Sequence, residues 1–202
     1  MPPTIEVTDE VLKRLDKLEI PYSTKAENSN LSDDFVYVPS TKLYVAKNIS
    51  FQGRSWDESH ENGMQTPLEF VEFLKHVMEH NLNIYKDMTE SRSLWRLEWI
   101  DACFEKRKDG MYVLTENRER AEKLDKNTLM ENKKISLDSW LENPTNQGFP
   151  REDVKEGNLY FLPPVHNSVA GFSAGGHGAG LGYGGGAGYG SSLLGVRAVR
   201  RE

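Results

Sequence analysis

Apolar positions recur along this chain with two different periods, and each period marks an element. Val11, Leu12, Leu15 and Leu18 are spaced three or four apart between Thr8-Asp9-Glu10 and Pro21, the spacing of a short amphipathic helix. A polar run from Ser23 to Asp34 follows and reads as loop, so residues 1–34 are expected to be a helix and loop packed on a domain spanning 35–202. Phe35-Val36-Tyr37-Val38 and Leu43-Tyr44-Val45-Ala46, on either side of Pro39-Ser40-Thr41, predict a β-hairpin. Trp56 to His60 predicts a short helix. Thr66, Pro67 and Glu69 supply a cap, a first-turn proline and a capping-box carboxylate for a longer one, whose buried stripe is Phe70, Phe73, Leu74, Val77 and Met78.

Period two returns at Trp95, Leu97 and Trp99, which alternate with Arg96 and Glu98 on a strand that Ile100 to Phe104 prolongs. Met111 to Leu114 is a neighbouring strand. The charged stretch from Thr115 to Lys134 reads as an insertion or exposed helix, and Ile135, Leu137, Trp140 and Leu141 as a turn of helix stopped by Pro144. Leu194 to Arg200 reads as a terminal strand, with Val196 and Ala198 on one face and Arg197 and Val199 on the other. Helices and strands that do not alternate regularly predict an α+β domain.

Composition sharpens this picture at one place. Between Val165 and Val196 there is no Asp, Glu, Lys or Arg, and 12 of the 17 glycines lie from Gly171 to Gly195. A disordered linker of that composition has no reason to keep a period, whereas Ala170, Phe172 and Ala174 keep period two and Ala179 and Leu181 resume it. A phosphate-binding loop fails on detail. Gly175-Gly176-His177-Gly178 has no Gly-Lys-Ser/Thr ending, and these glycines do not open a helix after a strand. The remaining reading makes Ala170, Phe172, Ala174, Ala179 and Leu181 the buried register. Gly171, Ser173, Gly175, Gly176, His177, Gly178, Gly180, Gly182, Tyr183 and Gly184, with Tyr189 further on, are then displayed outward as ligand-binding positions. Tyrosines among Gly and Ser have the composition of a binding surface: rigid amphipathic contacts on adaptable neighbours.

Charge and chemistry narrow the function. With 25 Lys+Arg against 31 Asp+Glu, the net charge of -6 argues against a nucleic-acid partner. Met1-Pro2-Pro3-Thr4 has neither a basic nor an apolar leader region and no apolar run is long enough to span a bilayer, so a soluble chain without export signal or membrane insertion is expected. The lone Cys103 excludes an internal disulfide and reads as a small buried hydrophobe. His76 and His80 have helical i, i+4 spacing but lack the rest of a zinc motif, and Glu98 and Asp101 read as salt-bridge residues, not a catalytic pair. Trp56, Trp95, Trp99 and Trp140 are assigned to the scaffold. No catalytic residue, metal or cofactor is expected.

The order of hairpin, Trp56-Asp-Glu-Ser-His, Gln65-Thr-Pro-Leu-Glu-Phe, Trp95-Arg-Leu-Glu-Trp-Ile-Asp-Ala and Leu194-Gly-Val-Arg-Ala-Val-Arg-Arg resembles the C-type lectin fold in its formylglycine-generating-enzyme branch. Within that branch it is most similar to the variable proteins of diversity-generating retroelements, of archaeal or viral type. The resemblance covers roughly residues 35 to 202. It implies twisted antiparallel sheets with flanking helices and a C-terminal segment, here 169–192, rewritten by an error-prone reverse transcriptase. That segment binds changing protein or cell-surface ligands on a virion or other surface while the scaffold stays fixed. The segment departs from the family pattern of mixed polar and aromatic variable positions in that most of its displayed positions are glycine. It holds no carboxylate for calcium, and one cysteine cannot supply the paired-cysteine chemistry of the enzymes of this fold.

Overall fold

Alternation over residues 35–46 produces strands β1 (Phe35–Val38) and β2 (Leu43–Ala46), antiparallel, with Val38, Leu43 and Val45 turned into the core. The computed structural model describes residues 34–60, 63–91 and 93–201. The helix and loop expected over residues 1–33 lie outside them.

Ser55 and Glu58 form a reciprocal capping box that starts α1 (Trp56–Ser59), and Thr66 and Glu69 form another that starts α2 (Pro67–His80). Each box satisfies backbone donors that a helix start leaves open. Phe70, Phe73, Leu74 and Val77 of α2 are buried as their spacing requires, and Met78 packs partly buried beside them. A third helix, α3 (Leu82–Thr89), begins at once on an Asn81 cap and buries Ile84 and Met88. Sequence reasoning passed over it because Asn81 to Asn83 is dominated by turn formers.

The larger sheet contains β3 (Arg96–Arg107), β4 (Gly110–Thr115), β5 (Arg120–Lys123), β6 (Lys133–Ile135), β7 (Leu159–Phe161), β8 (Ser168–Gly175) and β9 (Gly178–Gly186). Their order is β5-β4-β3-β8-β9-β7-β6, and β10 (Leu194–Gly195) adds a short parallel pairing to β3. The last strand, β11 (Val199–Arg201), leaves this sheet and pairs with β2, giving a smaller sheet in the order β1-β2-β11. Helix α4 (Leu137–Glu142) lies between β6 and β7 in sequence and buries Trp140 and Leu141. The architecture is α+β, with four helices among the described residues.

Two sequence expectations are corrected. Residues 115–134 form no helix: Arg120 to Lys123 pairs with β4 as an edge strand. Its charges are what an exposed edge carries to resist pairing with another chain. The expected terminal strand over 194–200 is split in two, and Val196 and Arg197 between its halves are both buried although their side chains alternate. Val196 enters an apolar cluster and Arg197 binds Glu98. No helix among the described residues is long and apolar enough to cross a membrane.

Candidate functional site

The glycine-rich segment forms the β8-β9 hairpin in the middle of the larger sheet, β8 against β3 and β9 against β7. Residues paired across strands share a face, so the registers fix which side chains go down. Ala170, Phe172, Ala174, Ala179 and Leu181 are all buried, in the expected phase. Phe172 packs its ring 5.3 Å from Phe70 of α2 and 6.5 Å from Trp140 of α4. Burial of a phenylalanine or leucine of this kind contributes roughly 2 kcal/mol. The hairpin is therefore held by few large residues, and its glycines need supply none of the packing.

Tyr183 corrects the sequence reading. It is not displayed: its side chain is 1% exposed and its ring lies 5.1 to 5.8 Å from those of Phe104, Phe149 and Phe161. Burial pushes its phenol well above the ordinary tyrosine range. The reason is the same period two that places Ala179 and Leu181 inside, which Tyr183 continues. Tyr189, beyond the strand, is 58% exposed.

The opposite face carries a row of paired positions across five strands: Leu97 on β3, Ser173 on β8, Gly180 on β9, Tyr160 on β7 and Lys134 on β6. Ser173 donates its hydroxyl to the Gly180 carbonyl at 3.3 Å, and the Lys134 ammonium lies 4.6 Å from the centre of the Tyr160 ring. Outward positions on the hairpin are not equally open. A Cβ at Gly171 would come within 2.7 Å of Leu97 Cδ2, and one at Gly175 within 2.9 Å of Trp95 Cδ1. Both glycines, with Gly180, are buried beneath neighbours, which corrects their placement among displayed positions. Side chains from β3 and β7 lie across the hairpin because nothing projects from it.

Gly182 is half-buried with only Leu162 Cδ1 near its outward direction, at 3.7 Å. Gly176 and His177 are exposed at the hairpin tip, Gly178 closes the turn with φ of +101°, and Gly184 lies in β9. The structure thus places Ser173 and Gly182 on the outer face and Gly176, His177 and Gly178 at the hairpin tip, where His177 and Gly178 line a cavity with Thr89, Leu137 and Asp138, with Tyr189 on the segment that follows.

Sequence reasoning missed the large side chains of this face. Trp95, assigned there to the scaffold, is 43% exposed, and Tyr160 and Leu162 are similarly open. Trp95 immediately precedes β3 and Tyr160 lies on β7, with the glycine hairpin as a low floor between those strands. The alternation Leu159-Tyr160-Phe161-Leu162 was the available signal. Trp56, Trp99 and Trp140 are buried as expected. Trp99 shares the outer face of β3 but is roofed by Leu194 and Val196, in a second apolar cluster with Trp56, Met64 and Val169 and with Ala187 and Cys103 at its margin. The chain after β9 therefore covers one end of the face and leaves the other open.

The weighed catalytic candidates fall to separate places. Glu98 binds Arg197, whereas Asp101 sits at a bulge in β3 and accepts from the Glu116 N–H at 2.7 Å. The His76 and His80 rings lie 4.7 Å apart on α2. No three His, Cys, Asp or Glu side chains converge to hold a metal among the described residues. Searches of protein-family models, curated proteins and solved structures find no match to this chain.

Proposed function

We propose that this chain is a ligand-binding display protein with a C-type lectin fold, of the kind diversified by retroelements, and that it has no enzymatic role. Its outward C-terminal positions contact a protein or cell-surface ligand without cofactor. The observation that supports this most is the two-sidedness of the β8-β9 hairpin. Phe172, Leu181 and Tyr183 anchor one side, and the other offers charge-free positions whose substitution leaves the anchors untouched. Surface changes of that kind usually alter stability by no more than about 0.5 kcal/mol, the tolerance a rewritten segment needs. A flexible glycine-rich tail is the less favoured reading, because these residues are central strands paired on both sides.

On this reading the residues divide the labour. Ser173, His177, Gly182 and Tyr189 are the positions that variation can use, while Trp95, Tyr160 and Leu162 supply fixed apolar contact. Sequencing the surrounding locus tests the proposal. A near-copy of the codons for 169–192 beside a reverse-transcriptase gene is expected, together with a shared third base among the glycine codons. A locus with neither removes the retroelement reading.

A further inference from the structure

A second place in the molecule, away from the glycine hairpin, holds polar atoms without a use. Asp101 is 5% exposed, and its Oδ2 is committed to the Glu116 N–H. Its Oδ1 lies 3.7 Å from Nε2 of His60, whose side chain is 10% exposed, and neither atom has a hydrogen-bond partner among the described residues. Both side chains line a cavity of about 400 Å³, with Met64 and Val199 as apolar wall and Glu116 and Glu119 at the mouth. A buried polar atom left unpaired is costly and asks for an explanation. The adjoining turn adds another: Glu116, Asn117 and Arg118 are three successive non-glycine residues with φ of 53°, 55° and 68°, a strained conformation of the type that concentrates at ligand sites.

The charges around this cavity select the sign of a ligand. Each nearby arginine already faces a carboxylate: Arg118 meets Asp57 at 2.8 Å, Arg201 meets Glu69 at 2.6 Å and Arg120 meets Glu122 at 2.5 Å. Glu119 and Asp101 Oδ1 have no such partner among the described residues, so the mouth is left net negative. A metal ion is disfavoured, since no third acidic, histidine or cysteine side chain converges with the pair. A rotating N–H donor group bridges two acceptors 3.7 Å apart without needing a closed coordination shell.

We propose that this cavity is a binding site for an alkylammonium cation, its nitrogen seated between Asp101 Oδ1 and His60 Nε2 and its hydrocarbon stem against Met64 and Val199. At neutral pH both groups can accept, His60 through Nε2 when its single ring proton sits on Nδ1. Burial, reinforced by Arg118, lowers the His60 pKa and keeps the ring neutral, while the Asp101 carboxyl, raised by burial to about 6, is ionised above that pH. The ammonium is either a small amine or a lysine side chain of a protein partner, since both present the same chemistry.

The His60 ring C–H resonance of the whole chain, followed by NMR while n-butylammonium is added at pH 7.5, tests the site. A saturating shift is expected. Asp101→Asn should weaken it roughly tenfold by removing a charge-assisted bond, and lowering the pH to 5 should do the same. Glu119→Gln, an exposed loop change that leaves the core alone, should weaken it by about twofold. A blocked Gly-Lys-Gly peptide saturating at lower concentration than n-butylammonium assigns the site to a partner's lysine, and weaker saturation assigns it to a free amine. A shift that rises linearly, one indifferent to both substitutions, or saturation by zinc chloride alone would overturn the proposal.

Discussion

Arg197 reaches across 99 positions to grip Glu98, its Nε donating to Oε2 at 2.8 Å and its Nη2 to Oε1 at 3.1 Å. The two side chains are 1% and 3% exposed. Arg197 also donates to the carbonyls of Ala46 and Lys47, so one guanidinium ties the last stretch of chain to β2 and β3 together. Removing one partner leaves the other buried charge with only a longer ionic contact among the described residues, Arg96 at 3.5 Å from Glu98 or Asp87 at 3.4 Å from Arg197. Arg197→Met should lower unfolding free energy by about 3–5 kcal/mol in chemical denaturation, and the double change with Glu98→Met should cost less than the sum of the two single ones. A single variant within about 1 kcal/mol of the parent would contradict this account.

The two tyrosines of the glycine-rich stretch should behave in opposite ways. Tyr183→Ala empties a site among Phe104, Phe149 and Phe161 and should cost about 3–5 kcal/mol, as large-to-small changes in an aromatic core do. Tyr189→Ala should stay within about 0.5 kcal/mol and act only on ligand binding. Equal melting temperatures for the two variants would refute the assignment.

Glycines of the hairpin separate in the same manner. Gly171→Val must push Leu97 aside, with a cost of about 1–3 kcal/mol. At Gly176 the outward direction is open, so Gly176→Ser should leave the denaturation midpoint unchanged. A library in which position 171 accepts large residues as freely as 176 would show that Leu97 does not restrict the face.

Asp101 makes stability depend on pH with a definite sign. Burial raises its folded pKa to about 6, against the lowering effect of the Glu116 and Asn117 N–H groups, while an unfolded aspartate titrates near 3.9. The folded chain therefore holds this proton more tightly. The associated stabilisation is complete below pH ~4 and is lost as pH rises through 6, amounting to about 3 kcal/mol at most. Urea titrations of the parent and of Asp101→Asn between pH 4 and 7 should diverge by that amount, the parent falling relative to the variant as pH increases. Parallel curves would remove Asp101 as the cause.

Local signals made much of this fold legible. The hairpin at 35–46 and the Thr66-Glu69 capping box are written in neighbouring residues, and both formed as read; the Ser55-Glu58 box was equally local and was missed. The anchors of the β8-β9 hairpin were legible too, because alternation is the only way a charge-free strand can state which side is buried. Tyr183 was misread when composition was allowed to outrank phase. Trp95 and Tyr160 were missed for a different reason. Their exposure depends on which strands stand beside the glycines, and pairing between β3, β8, β9 and β7 is nonlocal. The His60 and Asp101 approach is likewise invisible in sequence, since a β3 bulge and the turn after β4 create it.

The split end of the chain has a consequence for both sheets. Leu194 and Gly195 pair with β3, and Val199 to Arg201 pair with β2, so both sheets receive a strand from residues downstream of the glycine-rich stretch. A chain that stops in the glycine-rich stretch lacks both of these pairings and the guanidinium of Arg197 that meets Glu98. Pairing in both sheets therefore draws on residues just downstream of the glycine-rich stretch, whatever side chains that stretch carries.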